Sequence, residues 1–126
     1  MPTTHTIWSP PSSKTSEGIH LTTKGLILNF SKKFTDKENI TLTYLYITLP
    51  EKTATSVKIG FIFSQQKLPL KTNPIVMKNR RQYTWNTYCK ENNLDPAKFI
   101  LGSYMPEKTT DLELGTIYYI TINTRG

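Results

Sequence analysis

Cysteine is almost missing from this chain: Cys89 is the only one in 126 residues. No internal disulfide framework can form, which points to a reducing compartment or to indifference to redox state. Histidine is nearly as scarce, with His5 and His20 alone, and no Cys/His spacing of a metal site occurs. No apolar run approaches the roughly 18 residues of a membrane span, so no membrane partner is expected. Met1 to Gly18 lacks the charged start and apolar stretch of a secretory signal, so the expected location is the cytoplasm. The six glycines are scattered and form no phosphate-cradling loop. The carboxylates stand beside lysines in polar turns. Cys89 falls on an apolar helix face with Trp85 and Tyr88, the setting of a packing thiol rather than a nucleophile. The chain is therefore expected not to be an enzyme and to carry no cofactor and no metal.

What is present is positive charge. The formal net charge is +7 and the pI about 9.5, with 13 Lys against 3 Arg. A basic surface attracts polyanions. The same charge also serves ordinary solubility, and composition alone does not separate the two.

The pattern is mainly β, and the expected class is α+β. Residues 1–17, with Ser9-Pro10-Pro11-Ser12-Ser13, have linker composition and are expected to be a flexible tail, with residues 18–126 as a single domain. Ile19 and Leu21 alternate with polar residues. Lys24-Gly25 marks a turn, and Leu26, Leu28 and Phe30 then point one way. Ser31 is placed to cap a short helix ended by Asn39. Residues 40–49, apolar on both faces, read as a central strand. Val57, Ile59, Phe61 and Phe63 form its partner. Ile75 to Met77 read as a short strand, and Thr84 as the cap of a helix from Trp85 to about Asn92. Asp95-Pro96 opens a turn. Strands follow at 99–105 and 116–123.

One word occurs twice. Pro-Glu-Lys-Thr stands at 50–53 and 106–109, each time between apolar strands. Lys37-Glu38-Asn39 lies 13 residues before the first Pro, and Lys90-Glu91-Asn92 lies 16 before the second. Both halves thus read strand, capped helix, strand, Pro-Glu-Lys-Thr loop, strand. Two tandem strand–helix–hairpin repeats, about 24–64 and 75–124, are expected to pair about a pseudo-twofold axis as a small β-barrel or sandwich.

Within the first repeat, Thr23-Lys24-Gly25-Leu26-Ile27-Leu28, then a polar helix and two strands, resembles the swapped-hairpin domain of AbrB-type transcription factors over residues 22–64. That family and its cradle-loop relatives build small barrels from paired or fused strand–helix–strand units. The proline it carries before the helix is absent here, where Asn29-Phe30-Ser31 stand. The resemblance implies DNA binding.

The residues add their own indication. From Lys67 to Lys98 the local excess is five positive charges. Within this stretch Lys78-Asn79-Arg80-Arg81-Gln82-Tyr83-Thr84-Trp85 mixes cations, amides and aromatics. Cations release counterions from phosphates, Arg, Asn and Gln read base edges, and exposed rings stack on unpaired bases. Lys32, Lys33 and Lys37 are the matching cluster of the first repeat. Both clusters are expected to flank a helix start, where the dipole favours anions. The candidate nucleic-acid-binding residues are therefore Lys32, Lys33, Lys37, Lys78, Arg80, Arg81 and Tyr83. Two alternatives remain open. One is a small inhibitor or adaptor that meets an acidic protein partner through its aromatic residues. The other is a structural subunit that forms a homo-oligomer.

Overall fold

The computed structural model describes residues 18–125. The expectations for the tail, residues 1–17, lie outside the described residues.

The chain is mainly β, in two open antiparallel sheets. It begins with a hairpin of β1 (Ile19–Thr22) and β2 (Ile27–Phe30), in register Ile19 to Phe30 and Leu21 to Leu28. Helix α1 (Lys32–Lys37) follows, then β3 (Tyr44–Ile47), β4 (Glu51–Lys52), β5 (Ser56–Ser64) and β6 (Ile75–Val76). Next come β7 (Gln82–Thr84), helix α2 (Asn86–Glu91), a 3₁₀ turn at Pro96–Lys98, β8 (Gly102–Tyr104), β9 (Glu107–Asp111) and β10 (Gly115–Asn123). The first sheet runs β7-β2-β1-β8. The second runs β6-β3-β5-β10-β9, with β4 also on β5.

Alternation along the strands sends one face of each sheet inward. Ile19, Leu21, Leu28 and Phe30 of the first sheet share a core with Leu45, Val57, Ile59, Phe61, Tyr118, Ile120 and Ile122 of the second. Phe34 of α1 and Cys89 of α2 join them, with Trp85 just before α2. Phe30 meets Phe61 and Phe63 edge-on, at centroid distances of 5.6 and 5.1 Å. Burying each such ring contributes on the order of 2–3 kcal/mol. The other side of the second sheet holds a smaller cluster of Tyr46, Ile62 and Ile117.

The helices begin differently. Ser31 caps α1 as expected, its hydroxyl accepting the Phe34 N–H at 3.1 Å. Thr84 does not cap α2: it belongs to β7, and Trp85 takes the cap position without a side-chain cap bond. Its indole is turned inward, where Nε1 donates to the Gly25 carbonyl at 2.7 Å. The helices end alike. Asn39 and Asn93 both turn left-handed, at φ 55° and 57°. Ile40 N–H returns to Thr35 C=O and Leu94 N–H to Cys89 C=O, each at 2.8 Å.

Two strands are shorter than expected. Residues 40–43 are not a strand, because the Leu42 and Thr43 carbonyls accept from Asn79 and Met77 instead. The strand expected at 99–105 is reduced to β8, with Phe99 forming a lone bridge to Thr124. The Pro-Glu-Lys-Thr words are not loops. Pro50 and Pro106, which lack an N–H, stand just before strands, and Glu-Lys opens β4 and β9. No helix among the described residues is long and apolar enough to cross a membrane.

Gly25 gives a direct test of how tightly the hairpin is seated. It has φ 81°, and a Cβ there would lie 2.2 Å from the Pro96 carbonyl oxygen. Gly115 has φ 84° but nothing within 4 Å of a Cβ. We expect Gly115→Ala to cost about 1–2 kcal/mol, the backbone term alone. Gly25→Ala should cost clearly more, read as a larger loss in urea midpoint.

Candidate nucleic-acid interface

The outward face of the first sheet alternates with its buried one. Its side chains are His20 and Thr22 from β1, Ile27 and Asn29 from β2, Gln82 and Thr84 from β7, and Ser103 from β8. The register sets four of them in one line across all four strands: Gln82 opposite Asn29, Asn29 opposite His20, and His20 opposite Ser103. Ser103 Oγ and His20 Nδ1 are hydrogen-bonded at 2.7 Å. Three strand spacings of about 4.8 Å make the row ~14 Å long. None of the outward residues is acidic, and none is Phe, Tyr or Trp.

The row ends at the arginines. Asn29, Asn79, Arg80, Arg81, Gln82 and Thr84 line an open groove of about 660 Å³. Lys78 and Asn79 form its approach, a left-handed turn at φ 51° and 60°. That turn is pinned by Asn79 N–H to Leu42 C=O at 2.8 Å and Arg80 N–H to Met77 C=O at 2.9 Å. Arg80 and Lys78 are exposed, while Arg81 is half-buried. The Arg81 guanidinium donates through Nη1 to Thr35 Oγ1 of α1 at 2.5 Å. Thr35 is polar yet buried, and its hydroxyl donates in turn to the Lys32 carbonyl at 3.1 Å.

The two basic segments are linked through Arg81 and Thr35, by a route different from the expected one. Lys78, Arg80 and Arg81 precede strand β7, not helix α2. Arg81 reaches α1 because β7 pairs with β2, which leads into α1. The helix ends themselves add little: both helices have six residues, and Ser31 already occupies the Phe34 N–H. Lys37 does not join the groove. It lies at the far end of α1 next to Glu38, whose Oε1 accepts from Lys108 Nζ at 3.0 Å and from the Tyr118 hydroxyl at 3.2 Å. The Lys108 bond, above all, holds the Glu38 carboxyl below its usual range. Tyr83 does not join either. It alternates with Gln82 and Thr84, so its ring packs against the core, and burial raises its phenol above the usual range.

Asn29, His20 and Ser103 were not among the residues singled out from the sequence. The signal for the first two was there, as polar residues between core positions in Leu28-Asn29-Phe30 and Ile19-His20-Leu21. That they share a row with Gln82 and Ser103 is a matter of strand pairing, which local pattern does not reveal.

Cys89 is sealed in the core, and burial pushes its thiol up to about 12. Burial, reinforced by Glu38, also pushes the Tyr118 phenol up to about 12. Both groups keep their protons in the fold at pH values where the unfolded chain loses them. The stability this confers is complete below about pH 9 and falls as pH rises toward 12. We expect the urea midpoint to drop between pH 9 and 10.5. Thiol reagents at pH 8 should label Cys89 only at the rate of unfolding.

Compared with protein-family models, with curated proteins and with solved structures, the chain matches none.

Proposed function

We propose that this chain acts by binding duplex nucleic acid through the outer face of its first sheet. The observation that carries this is the row Gln82–Asn29–His20–Ser103, which ends at Arg80 and Arg81. Two amides, an imidazole and a hydroxyl offer donors and acceptors along one line, as base edges in a groove do. The row, ~14 Å long, is close to the roughly 12 Å width of a major groove. Binding to unpaired bases relies on rings for stacking, and among the described residues no Phe, Tyr or Trp stands on this face. Arg80 in the groove and Lys78 at its approach are exposed cations that suit phosphates. No chemistry beyond recognition is assigned to these groups.

We further infer that the two halves are copies of one unit. The order β2-α1-β3-β4-β5 recurs as β7-α2-β8-β9-β10. The Pro-Glu-Lys-Thr lysines act in exchange: Lys108 reaches Glu38 after the first helix, and Lys52 reaches the Asn93 carbonyl after the second, at 3.4 Å. β5 and β10 lie antiparallel against each other, as do β2 and β7. Strand β1 has no counterpart. The AbrB-type resemblance of residues 22–64 implies such a pairing of units.

The test is a titration of wild type, Arg80→Ala and Asn29→Ala against duplex and single-stranded oligonucleotides at two salt concentrations. Wild type should prefer duplex and weaken steeply with salt. Arg80→Ala should weaken binding on every sequence and flatten the salt slope by about 0.9 if it loses one phosphate contact. Asn29→Ala should instead cost about 1–3 kcal/mol on the best sequence and little on others. Arg81 is a poorer probe, because removing it also takes away the hydrogen bond that the buried Thr35 hydroxyl accepts. Wild type that binds neither form at low salt would end this proposal.

A further inference from the structure

On another part of the molecule, a cleft of about 370 Å³ opens between β3, β6, the 68–74 segment and α2. That volume lies in the range of small-molecule sites. Its walls are mostly apolar, with Ile62, Leu70 and Ile75, and include three tyrosines, Tyr46, Tyr83 and Tyr88. Two of these rings are held by their hydroxyls. Tyr88 OH donates to the Thr48 carbonyl at 2.7 Å, and Tyr46 OH accepts from Leu68 N–H at 2.9 Å. Tyr88 also stacks on Trp85, with centroids 5.5 Å apart and planes 5° from parallel. Its ring is thus set before any ligand arrives, which lowers the ordering entropy that opposes binding.

The charge on these walls is unusual for so basic a chain. Among the described residues that line the cleft, Glu91 is the one that is charged; Lys67, Lys71 and Lys90 are close in sequence but do not line it. Aromatic faces carry negative potential and attract weakly hydrated cations, best when those are desolvated. An apolar cleft with the phenol rings of Tyr83 and Tyr88 beside one carboxylate is complementary to a group that is both greasy and positive.

We propose that this cleft binds an alkylated ammonium group, with Tyr83 and Tyr88 against the methyl groups and Glu91 facing the charge. A primary ammonium loses more hydration on entering such walls, and an anion would meet Glu91. The site is separate from the arginine groove and does not depend on nucleic-acid binding.

Choline and its neutral isostere 3,3-dimethylbutan-1-ol distinguish the cation from its shape. Each would be titrated into the full chain, following the backbone amide resonances by two-dimensional NMR. Choline should give saturable shifts centred on Tyr83, Tyr88 and Glu91, and should bind about tenfold more tightly than the alcohol. Glu91→Gln, an exposed change that leaves the spectrum of the fold intact, should weaken choline several-fold and leave the alcohol unchanged. Equal binding of the two probes would overturn the proposal, since an apolar pocket alone would then suffice. So would the absence of saturable shifts with either, or a Glu91→Gln variant that binds choline as wild type does.

Discussion

Three residues of strand pairing, Ile27 to Asn29 against Gln82 to Thr84, join parts of the chain that sequence keeps far apart. Arg81 is brought near Thr35, 46 residues away, only because β7 lies on β2. The pairing is extended at one end by Trp85 N–H to Leu26 C=O at 3.1 Å, and at the other by Phe30 N–H to Arg81 C=O at 2.8 Å. A three-residue ladder is weak by itself. It holds because the residues on its inner side, Leu28 and Phe30 with Trp85 next to β7, are fully buried. The hydrogen bonds choose the register, and the hydrophobic core supplies the free energy. A slip of one residue would turn Asn29 inward and Leu28 outward, losing core and surface together.

The same ladder separates the two candidate sites. Gln82 and Thr84 look outward to the polar row, while Tyr83 between them looks toward the apolar cleft. One strand thus contributes to two surfaces of opposite character. The first is cationic and rich in donors and acceptors. The second is ringed by phenols and carries a carboxylate. The alternation of a pleated strand is enough to keep them apart.

Much of the secondary structure was legible, because local chemistry decides it. Ser31 caps its helix, Asn39 ends it in the left-handed region, and Asp95 with Pro96 starts the 3₁₀ turn. The nine-residue strands β5 and β10 were plain from their alternation. Where local chemistry was overruled, a distant partner did it. Thr84 was drawn into β7 by Ile27, and the 40–43 segment was taken by the Lys78–Asn79 turn. Of the candidate residues, Arg80 and Arg81 line the groove with Lys78 at its approach, whereas Tyr83 packs against the core and Lys37 lies at the far end of α1. Adjacency in sequence says nothing about which side of a strand or which end of a helix a side chain takes. Asn29, His20 and Ser103 escaped because a row across a sheet is a long-range object.

The outermost strands have a consequence for how the molecule behaves among its own copies. β6, β7 and β8 have only two or three residues each, too few to template another strand. Among the described residues β9 is the longest of these rim strands, at five residues. It carries Glu107, Lys108 and Asp111, so any chain docking there in a cross-β fashion would bury charge. Open sheets invite fibril growth at such rims. Here the repeated Glu-Lys pair acts as a gatekeeper on the longest of them.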